Sequence, residues 1–169
     1  ICIGLMMAIP PTVSQLNGAG KRAEIGPIWR QALWLAVIVG VLLFAFMRWS
    51  PQLLVLMQID ESIRLPASEF LYAISWGAPG LALFFASRYL SEGLSWTQPT
   101  LVFGVVALIL LVPVGYVLLF GYGPIPEMGA AGLGYATALI MWLEFLAFAW
   151  YLYKSKHFAD LGLLSRWDW

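Results

Sequence analysis

From Gln31 to Met47 the chain reads QALWLAVIVGVLLFAFM, an uncharged run flanked by Trp29-Arg30 on one side and Arg48-Trp49 on the other. Crossing a hydrocarbon layer takes about 20 mostly apolar residues in a helix, because lipid offers an open backbone no hydrogen-bond partner. The segment 29–49 meets that requirement, with its two arginines set to snorkel at the ends. Composition points the same way. Hydrophobic residues make up 62% of the 169-residue chain and charged residues 11%, against roughly 25–35% charge on a water-soluble surface. The expected fold is an all-α, polytopic membrane helix bundle in a single transmembrane domain over 1–169.

Working outward from this segment, three more stretches are long and apolar enough to span. They are 70–87, bracketed by Glu69 and Arg88, then 99–121, and then 131–153, which is interrupted only by Glu144. The run 1–13 is too short to span and lacks the basic flank of a signal peptide. The chain opens at Ile1 inside that run, so we expect a piece of a longer polypeptide, with 1–13 the end of a truncated helix. Polar, turn-rich loops are expected at 14–28, 50–68, 88–98 and 122–128.

Charge counts give an orientation. Lys21, Arg22, Arg30, Arg88, Lys154, Lys156 and Arg166 fall on one side, and Arg48 and Arg64 on the other. The positive-inside rule makes loops 14–28 and 88–98 and the tail 154–169 cytoplasmic. A net charge of zero leaves no electrostatic case for a nucleic-acid partner. One cysteine, Cys2, excludes an intrachain disulfide and a cysteine metal cage. One histidine, His157, reads as part of a solvated basic cluster with Lys154 and Lys156. No nucleophile–base pair, phosphate loop or metal site is expected, so the chain does not read as an enzyme and calls for no cofactor.

Two features within the spans carry chemistry. Pro79, in Ser75-Trp76-Gly77-Ala78-Pro79-Gly80, offers no N–H to the carbonyl of Ser75 and bends its helix. Pro113 does the same to Ile109, with Gly115 two residues on. Gly77, Pro79, Pro113 and Gly115 are therefore hinge candidates, with a static kink as the alternative. On the last span, Gly134, Thr137, Ala138, Met141, Glu144, Phe145 and Phe148 share one helical arc. Gly134 and Ala138 permit close helix approach. A carboxyl at such depth is costly and marks a candidate functional site. The alternative is a neutral Glu144 bonded to a neighbouring helix, helped by Arg88 if that side chain reaches. Thr137, Tyr116 and Tyr135 complete the pathway candidates.

These motifs resemble the NorM-like branch of the multidrug and toxic-compound extrusion (MATE) family. The resemblance rests on Gln15-Leu16-Asn17-Gly18-Ala19-Gly20-Lys21-Arg22 with Arg30-Gln31, and on Trp76-Gly77-Ala78-Pro79-Gly80. Ser91-Glu92-Gly93-Leu94, Gln98-Pro99 and the run Gly129 to Ala138 continue it. It implies a twelve-helix antiporter of two six-helix lobes, exporting small organic cations against inward Na⁺ or H⁺. This chain would be the amino-terminal lobe from late in helix 2 through helix 6, in the lipid bilayer of a bacterial inner membrane, facing a second lobe of the same polypeptide. Many relatives carry a polar pair flanking the fifth-helix proline. Here those positions hold Leu111 and Gly115, which depletes that polar cluster.

Two other readings stay open. One is a flippase of the same superfamily moving a lipid-linked anionic oligosaccharide. It would want Arg or Lys inside the cavity, whereas the expected spans hold one acid and no interior base. The other is a membrane scaffold without transport, for which Glu144 and Thr137 would be indifferent to substitution.

Overall fold

The computed structural model describes Gly4 and residues 6–161, with nothing described for the side chains of Lys156 and Ala159. Cys2, Arg166 and the start of the 1–13 run lie outside the described residues. Among the described residues, six α-helices follow one another: α1 Ile9–Gly18, α2 Ile25–Leu56, α3 Glu61–Ser75, α4 Ala78–Gly93, α5 Gln98–Phe120 and α6 Gly129–Lys154. Short 3₁₀ turns at Arg22–Glu24 and Lys156–Leu161 complete the order.

Proline and acid placement explains where the helices begin. Prolines sit in the first turns of α1, α4 and α5, where a missing N–H costs nothing. Asp60 caps α3, its carboxylate accepting from Ser62 N at 2.9 Å and Ser62 Oγ at 2.6 Å. Glu61 follows in the first turn, where the helix dipole favours an acid, and pairs with Arg64 at 3.7 Å. The charges that suggested a loop over 50–68 are thus helix-starting chemistry, and the connection shrinks to residues 57–60. Likewise α1 reaches into 14–28, and α4 into 88–98, as far as Gly93.

Among the described residues, three helices are long and apolar enough to cross a membrane, taking α2 with its preceding 3₁₀ turn, α5 and α6. At 32 residues, α2 is about 48 Å long and outruns a hydrocarbon layer of about 30 Å. Arg30 and Arg48 therefore lie within the helix and not at its ends. Arg30 is buried, and Arg48 is eight residues, or about 12 Å, short of Leu56.

Taken together, α3 and α4 are long and apolar enough for a fourth, broken crossing or a re-entrant loop, and they meet at Trp76-Gly77 with a bend of 52°. The expected kink at Pro79 is an interruption two residues upstream, with Pro79 itself inside α4's first turn. At Pro113, by contrast, α5 runs unbroken from Gln98 to Phe120.

The bundle packs α2 on α4, α3 and α4 on α6, and α5 on α6, with α1 against α4. The core gathers Val13, Ile25, Leu90, Phe148, Leu152 and Phe158. α5 leaves Leu101, Leu108, Ile109 and Val112 exposed. A helix apolar on every side is at home in lipid or against further helices.

Candidate functional site

The break between α3 and α4 is tightly packed. Gly40 of α2 lies against Pro79, where an added β-carbon would sit 2.7 Å from Pro79 Cα. A β-carbon on Gly77 would lie 2.7 Å from both Ala138 Cα and Met141 Sδ of α6. These glycines are needed for closeness, since a side chain would drive the helices apart. Gly134 does the same from α6, 2.7 Å from Ala73 Cβ by that measure, so the Gly134–Ala138 pair faces the broken crossing. The Trp76 carbonyl accepts from Trp142 Nε1 at 2.9 Å. Gly115, in the unbroken α5, is buried against Leu133 of α6.

The pathway candidates are not brought into one cavity. Glu144 lines a cleft of about 230 Å³ between α5 and α6, with Phe103, Val106, Ala107, Leu110, Ile140 and Leu143 among its walls. The carboxyl is half-buried, and the other described residues that line the cleft are apolar. Arg88 does not pair with it: its Nε donates to Glu92 Oε1 at 2.6 Å, one turn along α4. The i,i+4 partner on its own helix is nearer than the neighbouring helix. Thr137 Oγ1 donates to the Leu133 carbonyl at 2.9 Å, which uses its proton within α6. Tyr116 is exposed on α5 and packs on Phe120. Tyr135 lines a separate recess of about 330 Å³ with Pro51, Ser68, Glu69, Tyr72 and Ala131.

His157 is not simply solvated. Its ring lies 4.1 Å from that of Trp96, its carbonyl accepts from Arg22 Nη2 at 2.8 Å, and Trp96 Nε1 donates to Tyr151. One feature escaped the sequence reading. The Arg48 guanidinium lies 3.7 Å from the Tyr72 ring centroid, 4.8 Å from Phe44 and 5.0 Å from Trp76. Its Nε donates to Ser75 Oγ at 3.1 Å. Phe44/Arg48 and Tyr72/Trp76 are both i,i+4 pairs, a signal visible in the chain, but their meeting depends on how α2 packs on α3.

Three helices long and apolar enough to span, among the described residues, with a bent helix pair packed between them, define a polytopic integral membrane protein. Residues 1–117 match the MatE family, and the chain belongs to that family. It is 47% identical over 163 residues to the probable multidrug resistance protein NorM of Xanthomonas campestris pv. campestris, covering 96% of this chain and 36% of that relative. It is 39% identical over 161 residues to the multidrug resistance protein MdtK of Yersinia pestis, covering 95% of this chain and 35% of that protein. A solved chain described as protein C superposes with a TM-score of 0.80 at 26% identity, over 97% of this chain and 36% of its own. The chain thus spans about a third of the length of these relatives.

Proposed function

We propose that this chain is part of one lobe of a secondary antiporter that exports organic cations or drugs against inward Na⁺ or H⁺. The observation that carries the reading is Glu144, the one acid of α6, set among apolar side chains in the α5–α6 cleft. A carboxyl there can take up and release a proton, or exchange a proton for Na⁺, as access alternates between the two sides. Family membership and the multidrug resistance names of the relatives support export of drugs. The transport path of such a machine runs between repeats, so it needs a second lobe of the same polypeptide. The reading places the protein in a bacterial inner membrane, with loops 14–28 and 88–98 and the tail from 154 cytoplasmic. The coupling ion would be the sole inorganic requirement, with no further cofactor.

The test is Glu144→Gln in the full-length polypeptide, which keeps size and hydrogen bonding but cannot titrate. We expect normal membrane insertion with loss of pH-dependent drug export in a pump-deleted host. Export equal to the unaltered protein at every pH would make Glu144 a packing residue.

A second reading, flipping of an anionic lipid-linked cargo, is favoured by Arg48. That base lies within α2 and forms none of the ion pairs among the described residues. It predicts that Arg48→Gln abolishes translocation of a fluorescent anionic lipid in proteoliposomes.

A further inference from the structure

An arginine held by aromatic rings and a neutral hydroxyl has a second chemical meaning. The guanidinium of Arg48 is surrounded by Phe44, Tyr72 and Trp76 at 4.8, 3.7 and 5.0 Å. Its hydrogen-bond partner among the described residues is a neutral hydroxyl, Ser75 Oγ, which itself donates to the Tyr72 carbonyl at 2.6 Å. Aromatic faces attract cations whose charge is delocalised and weakly hydrated, a description that fits guanidinium and organic onium ions alike. Tyr72 and Trp76 are 48% and 52% exposed, so within this chain part of each ring is uncovered.

Room and charge lie next door. Tyr72 also lines the recess of about 330 Å³ that holds Glu69 and Tyr135, a volume in the range of small-molecule sites. Glu69 is three residues from Tyr72, adjacent on the α3 surface, and exposed. It brings a negative charge beside the rings and forms none of the ion pairs found among the described residues. Swinging Arg48 outward gives up one hydrogen bond to a neutral oxygen and three ring contacts. An incoming organic cation restores the ring contacts and gains the proximity of Glu69.

We propose that Phe44, Tyr72 and Trp76, with the adjoining Glu69 recess, form a subsite for organic cations that Arg48 occupies as a tethered competitor. The subsite rests on the export reading above and gives it a location distinct from Glu144. Removing the competitor should tighten binding, the opposite of what loss of an ordinary ligand-binding residue does.

The experiment is equilibrium dialysis of labelled tetraphenylphosphonium against the purified full-length polypeptide in detergent. Arg48→Gln should tighten binding about tenfold, the scale of two partly exposed cation–π contacts no longer taken by the competitor. Adding Trp76→Leu to Arg48→Gln should cancel that gain. Tyr72→Leu with Arg48 in place should weaken binding several-fold, a readout that stands even if the arginine variant does not fold. Unchanged or weaker binding in folded Arg48→Gln, or unchanged binding in Tyr72→Leu, overturns the subsite. If the unaltered polypeptide exports organic cations and all variants bind alike, the subsite alone falls. If it neither binds nor exports any, the export reading falls and the subsite with it.

Discussion

The indole Nε1 of Trp142 on α6 donates a 2.9 Å hydrogen bond to the backbone carbonyl of Trp76, at the point where α3 stops and α4 has not begun. A broken crossing leaves backbone groups without helical partners, and hydrocarbon supplies none. The same indole packs on Gly80, where a β-carbon would meet its ring at 3.0 Å. One side chain thus fills the notch of the break and satisfies its carbonyl.

Trp142→Phe separates these two roles, since it keeps an aromatic ring and removes the donor. We expect a loss of about 1 kcal/mol, the ordinary worth of a hydrogen bond, read as a lowered unfolding midpoint in detergent. A midpoint equal to that of the unaltered protein would mean that the carbonyl finds another partner without cost.

Gly77 and Gly104 offer a paired comparison. A β-carbon on Gly77 meets Ala138 Cα and Met141 Sδ at 2.7 Å, whereas one on Gly104 of α5 meets nothing within 4 Å. Gly77→Ala should therefore destabilise by about 1–3 kcal/mol through overpacking. Gly104→Ala should be neutral, or stabilising by up to about 1 kcal/mol from helix propensity. Thermal unfolding of the two variants side by side checks the contrast, and equal effects would contradict the packing at the break.

Asp60 gives an acid dependence. Its hydrogen bonds from the Ser62 side chain and backbone hold its carboxyl below the ordinary value of 3.8. The folded state therefore binds this proton less readily than the unfolded chain. The stabilisation is full above pH 3.8 and is lost as pH falls further, through the lowered value. Asp60→Asn, which still caps, should flatten that part of the acid unfolding profile. An unchanged profile between pH 4 and pH 2 would remove Asp60 from the acid response.

The lysine and arginine count predicts which loops face the cytoplasm. In a background with Cys2 replaced, single cysteines beside Lys21 and Lys154 should react with impermeant maleimide from the cytoplasmic side alone. A cysteine beside Asp60 should react from outside. Labelling at 60 and 154 from the same side would refute this topology.

The all-helical membrane architecture was legible in segments such as 31–47 because it depends on a local property. A long uncharged run can satisfy its backbone in lipid as a helix, whatever its neighbours do. Family motifs were legible for the same reason, being short and in order along the chain. The small pair Gly134 and Ala138 was readable from helical periodicity, and the structure sets it against the broken crossing. What escaped were relations between helices. The prolines at 79 and 113 look alike in sequence, yet one follows an interruption and the other sits in an unbroken helix. At the first, Gly40 of α2 and Ala138 and Trp142 of α6 close on the joint, while Pro113 lies exposed on α5. Charges had partners that local hydropathy does not report. Arg48 was set at a span end because hydropathy falls there; the helix itself continues to Leu56, and the guanidinium turns onto the rings of α3. Arg88 could reach toward Glu144 or Glu92, and geometry gives it Glu92. Hydropathy and periodicity report what each residue does to its own helix. Which carbonyl gains a donor, and which cation gains a ring, depends on the angle and depth at which two helices meet, and that is set by packing across the bundle.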